Sequence, residues 1–371
     1  MLPNPVRRNA MHPTIRPNPG IAEIAPYVGG ASALPGANRT VKLSSNENPL
    51  GPSPAAREAY LAAADGLGLY PDGGHARLRA AIARAHGIDA DRIACGNGSD
   101  ELIALLARAY AAPGTEVLYS AHGFLMYRLS ALSAGATPVA APERALTTDI
   151  DALIARLTPA TRLVFLANPN NPTGTMVPEA EIARLAEALP PAALLVLDAA
   201  YAEYVRAPGY DGGIALVESR ENVVMTRTFS KIHGLAALRL GWLYGPAHVI
   251  DVLSRVRGPF NVNAPALAAG EAAIADHGYV ADCRIANEVW RDWLAREIAA
   301  AGFPVTPSHA NFLLVETGAR TGAVDGHLRA HGLIVRRMDE YGLPGHLRIS
   351  VGDAAACRAV AEAMAGIGAA A

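Results

Sequence analysis

Along most of this chain, short apolar runs alternate with longer alanine-rich stretches whose apolar positions recur at helical spacing. That alternation of strand-like and helix-like segments predicts an α/β fold. Strands are expected at 92–95, 116–120, 137–140, 162–167, 194–197 and 222–226, and helices at 100–111, 124–134, 179–188 and over much of 264–301. Beyond the long helical region, 304–316, 332–337 and 346–351 read as further strands, closed by an alanine-rich helix. The resulting division is a Pro/Gly/Asn-rich arm over 1–40, a large α/β domain over 41–262 and a smaller α/β domain over 263–371, joined by part of the N-terminal segment. In open α/β sheets ligands bind beyond the carboxyl ends of the strands, so those ends are the first place to look for chemistry.

Composition narrows the classes. A length of 371 residues exceeds what one hydrophobic core usually supports and agrees with two domains. A formal net charge of −2 provides no basic field, so neither nucleic acid nor a membrane surface is expected as a partner. Cys95, Cys283 and Cys357 lie far apart without CxxC spacing, which argues against a disulfide framework or a metal site and for the reducing cytoplasm. Residues 1–19 are proline-rich and lack the continuous apolar segment of a signal peptide, and Met11 is a second candidate start. The longest apolar stretch, 189–205, is broken by Pro190, Pro191, Asp198 and Glu203 and is too polar to span a bilayer.

The strand ends carry the chemistry. Segment 223–231, Val-Val-Met-Thr-Arg-Thr-Phe-Ser-Lys, delivers the hydroxyls of Thr228 and Ser230 and the amine of Lys231 onto a loop, and Arg239 returns shortly after. This suits a lysine held as a Schiff base beside a phosphate group, although taken singly it also reads as a solvated loop charge. Residues 95–101, Cys-Gly-Asn-Gly-Ser-Asp-Glu, join a strand to a helix whose free N–H groups, dipole and glycines make an anion seat, or else Ser99 or Asp100 is a plain N-cap. Phe124 and Tyr127 open the next helix, where an aromatic ring can cover a planar ligand or simply fill the core. Residues 168–174, Asn-Pro-Asn-Asn-Pro-Thr-Gly, form a turn that sets amide side chains at the ligand edge, where an Asn-Pro bond can be cis. Asp198 follows four apolar residues; buried there, its carboxylate wants a protonated nitrogen, unless it caps a helix.

A lysine, a buried carboxylate, an amide, a phenol, an arginine and an anion-binding helix start describe the protein side of a pyridoxal 5′-phosphate site. From about Leu43 to its end the chain resembles the fold-type-I pyridoxal-phosphate aminotransferases and, among them, the histidinol-phosphate aminotransferases. The resemblance is carried by Asn46-Glu47-Asn48-Pro49 with Gly51-Pro52-Ser53-Pro54, Tyr70-Pro71-Asp72, Gly98-Ser99-Asp100-Glu101, Asn171-Pro172-Thr173-Gly174, Asp198-Ala199-Ala200-Tyr201, Thr228-Phe229-Ser230-Lys231, Arg239-Leu240-Gly241 and Leu347-Arg348-Ile349-Ser350-Val351-Gly352.

The resemblance implies a mostly parallel central sheet flanked by helices in a large cofactor-binding domain, beside a smaller α/β domain. It implies that Lys231 bonds the cofactor covalently and then shuttles a proton, that Asp198 pairs with the ring nitrogen, and that Asn171 and Tyr201 hold the ring's phenolic oxygen under Phe124. The phosphate is expected on the Ser99 and Asp100 N–H groups, Thr228, Ser230 and Arg239, with Tyr70 reaching the phosphate of a neighbouring subunit in a homodimer with shared sites. Tyr27, Asn171, Arg336 and Arg348 are the expected substrate contacts, Arg336 being equally readable as a surface charge beside Arg337.

The family resemblance implies transfer of an amino group from L-histidinol phosphate to the 2-oxo acid 2-oxoglutarate. An aromatic amino acid aminotransferase is the alternative, followed by threonine-phosphate decarboxylase; a regulatory protein is disfavoured because the segment before the fold is short and not basic. Two departures from the family pattern, Ile232-His233 and Ala121-His122-Gly123, are expected near the pocket wall.

Overall fold

The protein is described by a computed structural model covering residues 15, 17–26, 33–34 and 40–368. Tyr27, Met1 and Met11 lie outside the described residues.

Seven strands form the main sheet in the order Ile93–Gly96, Gly241–Tyr244, Val223–Thr228, Leu194–Asp198, Thr161–Ala167, Glu116–Ser120 and Thr137–Ala141. All run parallel except Gly241–Tyr244, which is antiparallel to both of its neighbours. Parallel strands covered on both faces need apolar residues throughout, and Leu194–Asp198 and Val223–Thr228 are buried at every position. The strand Gly241–Tyr244 is not among those expected from the sequence. Four residues ending one connection and starting another give too short a run to register, yet Trp242, Leu243 and Tyr244 fill the core on its two faces.

A second sheet is antiparallel throughout, in the order Val305–Thr306, Phe312–Glu316, Leu343–Ser350 and Arg336–Met338. The single strand expected at 304–316 is therefore two. Between them the Ser308 hydroxyl donates to the Phe312 carbonyl at 2.7 Å and accepts from the Ala310 N–H at 3.2 Å, which turns the backbone and interrupts the ladder. The helical region 264–301 also divides, into Ala264–Ala275 and His277–Ala300, at Asp276, whose carboxylate accepts from the Tyr279 N–H at 3.1 Å and starts the second helix. Helix Ala264–Ala275 packs on Pro54–Ala62 and Ala76–His86, whereas His277–Ala300 packs on the closing helix Ala354–Gly368.

The N-terminal strand Val41–Lys42 pairs in parallel with Leu333–Ile334 beside the second sheet. From there the chain runs through Ser44–Asn48 toward the carboxyl edge of the main sheet, so one short segment touches both layers. Among the described residues no helix is long and apolar enough to cross a membrane, and no cluster of His, Cys, Asp or Glu is suited to a metal.

Candidate active site

Five carboxyl strand ends of the main sheet converge on one cavity lined by Ser99, Asp100, Phe124, Asn171, Asp198, Tyr201, Thr228, Ser230, Lys231 and Arg239. It opens into a second cavity that adds Ser44, Asn46, Arg336, Tyr341 and Arg348. Every expected cofactor residue except Tyr70 therefore lies in one place, brought there by sheet topology rather than by sequence proximity.

Lys231 sits half-buried on the loop after Val223–Thr228, and its Nζ donates to the Ser45 carbonyl at 3.1 Å. Burial, reinforced by the Arg348 guanidinium, lowers its pKa to about 8, so much of the amine is neutral near that pH. Asp198 is 6% exposed at the end of Leu194–Asp198. Its Oδ2 accepts the Tyr127 hydroxyl at 2.7 Å and its Oδ1 the Ala200 N–H at 3.2 Å. Burial raises its pKa to about 6 despite these two donors. Its turn bond to Ala200 is local, and no α-helix starts there for it to cap.

At the start of helix Ser99–Tyr110 the N-cap is Gly98, with φ 86° and no side-chain cap, so neither Ser99 nor Asp100 caps. Helix geometry leaves their N–H groups without intrahelical acceptors. A Cβ on Gly98 would stand 2.5 Å from Arg239 Nη2, so this position needs glycine for both its backbone angle and its neighbour. Arg239, itself at φ 52°, donates through Nη1 to Ser230 Oγ at 3.2 Å and through Nη2 to Asp100 Oδ2 at 3.1 Å. The Thr228 hydroxyl accepts the Ser230 N–H at 3.1 Å. Hydroxyls, helix N–H groups and a guanidinium thus face one spot, the donor set that a phosphate group requires.

Tyr201 Oη accepts from Asn46 Nδ2 at 2.9 Å, and burial pushes the phenol up to about 12, keeping it protonated. Both Asn168-Pro169 and Asn171-Pro172 are cis. Asn171 Oδ1 accepts from Arg348 Nη1 at 2.5 Å, while Arg348 Nη2 donates to the Ser44 carbonyl at 2.8 Å. The Nε of this buried arginine has no hydrogen-bond partner among the described residues. Phe124 meets Tyr127 edge-on at 5.8 Å and borders the cavity.

Arg336 is nearly buried and pairs with Glu340 at 2.6 Å, whereas Arg337 is half exposed and pairs with Asp339 at 2.9 Å. Only the first lines the site. Tyr70 stands apart at the surface, 83% exposed, stacked on Phe260 at 4.8 Å. Ile232 and His233 turn inward instead of facing the cavity: Ile232 packs with Tyr201 and Phe312, and His233 lies against Phe229 at 4.9 Å, its pKa lowered to about 4 by burial. His122 Nδ1 lies 2.7 Å from the Tyr341 carbonyl, joining the two layers beside the cavity mouth.

Two contributors were not singled out as site residues in the sequence. Tyr127, noted there only for its ring, supplies the hydroxyl on Asp198, and Asn46, noted only within its motif, holds Tyr201. An apolar run before Asp198 announces a buried carboxylate, but nothing local announces which helix satisfies it.

The donor set fits pyridoxal 5′-phosphate on this structure's own terms: a buried carboxylate short of a cationic partner, an amine of lowered pKa, and an anion seat at the helix start. A model of the aminotransferase class I and II family matches residues 38–364, and the chain belongs to that family. It is 60% identical over 353 residues to the histidinol-phosphate aminotransferase of Dinoroseobacter shibae, covering 95% of this chain and 97% of that protein. It is 58% identical to that of Paracoccus denitrificans, covering 94% and 95%. Within the family, the chain is thus one of the histidinol-phosphate aminotransferases. The crystal structure of the Sinorhizobium meliloti histidinol-phosphate aminotransferase in complex with pyridoxal-5′-phosphate superposes with a TM-score of 0.85 at 29% identity, over 90% of this chain and 92% of that one.

Proposed function

We propose that the protein transfers the amino group of L-histidinol phosphate to 2-oxoglutarate, using pyridoxal 5′-phosphate. The observation that carries the substrate reading is the convergence of two arginines, Arg336 and Arg348, on the cavity that holds Lys231. A dianionic phosphate ester suits two guanidinium groups better than the single carboxylate of an aromatic amino acid does.

The cofactor, when bound, supplies the electron sink that makes the substrate Cα–H acidic. The chain's own residues do the rest. Lys231, neutral in part near pH 8, serves as nucleophile and then as proton carrier. Asp198 would hold a protonated ring nitrogen, which would offset the cost of its burial. Tyr201 and Asn171 would hold the ring oxygen with a hydroxyl and an amide, Phe124 would cover the ring, and Ser99, Asp100, Thr228, Ser230 and Arg239 would take the phosphate. Arg348, with its unpartnered Nε, grips the substrate's anionic end, and the Arg336–Glu340 pair opens to admit the second charge.

A homodimer with Tyr70 reaching the partner's phosphate belongs to the same reading. Its support is the exposed run Tyr60, Leu61, Leu67, Leu69 and Tyr70 with Phe260, a large apolar area for a lone chain. The division into two domains at about residue 262 is also part of this proposal, helix Ala264–Ala275 packing back across it onto the large core. Cys95, Cys283 and Cys357 are free and buried, which supports a cytoplasmic setting.

The test is a panel of specificity constants for histidinol phosphate, phenylalanine and threonine phosphate, with Arg336→Ala beside the parent. Preference for histidinol phosphate, lost about 100-fold in Arg336→Ala with phenylalanine turnover kept, is expected. Equal losses on both substrates would sink the phosphate role.

A further inference from the structure

We infer that Asn46 is a positioning residue that sets the direction of the Tyr201 hydroxyl, leaving the phenolic hydrogen for the group held in the cavity. This rests on the reading of that cavity as the pyridoxal phosphate site.

Asn46 is 1% exposed and sits at φ 59°, a left-handed backbone that asparagine tolerates better than most residues. Its Nδ2 donates to Tyr201 Oη at 2.9 Å. A phenol oxygen has one hydrogen; when a neighbour donates to that oxygen, the hydrogen must go elsewhere. Tyr201 lines the cavity, so the hydrogen is directed there.

The carboxamide is held on its other side. Ser350 Oγ accepts the Asn46 main-chain N–H at 2.8 Å and donates to Asn46 Oδ1 at 3.0 Å. The Asn46 carbonyl accepts from Asn311 Nδ2 at 3.0 Å. With Oδ1 already occupied, Nδ2 is the end left to face Tyr201. Ser350 ends a strand of the second sheet, whereas Tyr201 follows a strand of the first, so a residue bridging the two layers governs a proton in the cavity.

The electrostatic consequence has a sign. With the cofactor bound, a donor on the ring's phenolic oxygen would stabilise negative charge there and so would lower the proton affinity of Lys231 Nζ conjugated to the ring. Losing that donor raises it.

The test is a spectroscopic pH titration of the holoenzyme, reading the midpoint of the visible band. Asn46→Asp is nearly isosteric, keeps an oxygen for Ser350 and turns the group facing Tyr201 from donor to acceptor, so the phenol gives its hydrogen to the new carboxylate instead of the cavity. The midpoint is expected to rise by about one pH unit. The new carboxylate also acts directly through space, and that part persists when the substitution is made on Tyr201→Phe. A smaller rise in that background supports the inference; equal rises in both backgrounds, or none in either, overturn it.

Tyr201→Phe alone separates the two levels. If it leaves the midpoint unmoved, the placing of Tyr201 against the cofactor fails and takes the inference with it. If it moves the midpoint while Asn46→Asp does not, the inference alone fails. Should Asn46→Asp not fold, Ser350→Ala frees the carboxamide and is expected to raise the midpoint by about half a unit, and an unchanged midpoint there overturns the inference.

Discussion

Arg348 reaches out of the second sheet to donate to the Asn171 amide oxygen at 2.5 Å, so an expected substrate residue and an expected cofactor residue are one hydrogen-bonded unit. The same guanidinium holds the Ser44 carbonyl. A lysine is a point charge and cannot span both acceptors. Arg348→Lys is expected to lower kcat/KM about 100-fold, roughly 2.7 kcal/mol, with the visible cofactor band retained. Unchanged steady-state kinetics would contradict the role.

Lysine is scarce in this chain, which contains Lys42 and Lys231 and no other. Lys42 is engaged with Glu47. Borohydride reduction of the holoenzyme should therefore fix the cofactor to the peptide containing Lys231, read by mass spectrometry, and Lys231→Ala should lose at least ~1000-fold in turnover. In cofactor-free protein, labelling of this amine should be half-maximal near its pKa of about 8, well below an ordinary lysine.

Asp198 makes the cofactor-free protein sensitive to pH. Its folded pKa of about 6 lies above the ordinary aspartate value of 3.8, so between those values the folded state binds more protons than the unfolded one. Stability is then expected to fall as pH rises from about 4 to 6, by on the order of 3 kcal/mol. Thermal unfolding of the cofactor-free protein against pH should show that fall, and Asp198→Asn should flatten it. The same substitution should cut holoenzyme turnover at least ~100-fold, because a neutral amide cannot hold the ring nitrogen's proton.

Tyr70 and Phe260 stack at the surface, within the exposed apolar run. Phe260→Glu places a charge in that area and is expected to shift sedimentation from dimer to monomer with loss of activity. Mixing Tyr70→Phe with Lys231→Ala protomers should restore activity when sites are shared; independent sites predict none.

Most of the candidate site was legible because the residues lining its cavity lie at strand ends, where a polar residue after an apolar run stands out. Asp198 after Leu194–Leu197 and Lys231 after Val223–Thr228 are of this kind. Tyr127 was not legible as a partner: a buried aromatic on a helix reads as core, and its bond to Asp198 spans 71 positions. Asn46 was hidden similarly, since its bonds to Tyr201 and Ser350 depend on how two sheets dock. The strand Gly241–Tyr244 eluded the pattern because it is short and enters antiparallel between two parallel strands. His233, beside the lysine in sequence, points into the core because the backbone turns tightly at Gly234, with φ 69°.

The pairing of Val41–Lys42 with Leu333–Ile334 sets an order on biosynthesis. By the time Tyr244 has been made, every strand of the main sheet exists, but the segment from Ser44 to Asn48 still lacks Asn311, Arg348 and Ser350, which hold it from the second sheet. The Ser45 carbonyl that accepts from Lys231, and the Asn46 carboxamide that donates to Tyr201, come to rest only when the last strand, ending at Ser350, arrives. The surroundings of the lysine are thus assembled only once the second sheet has formed, later than the sheet that carries it.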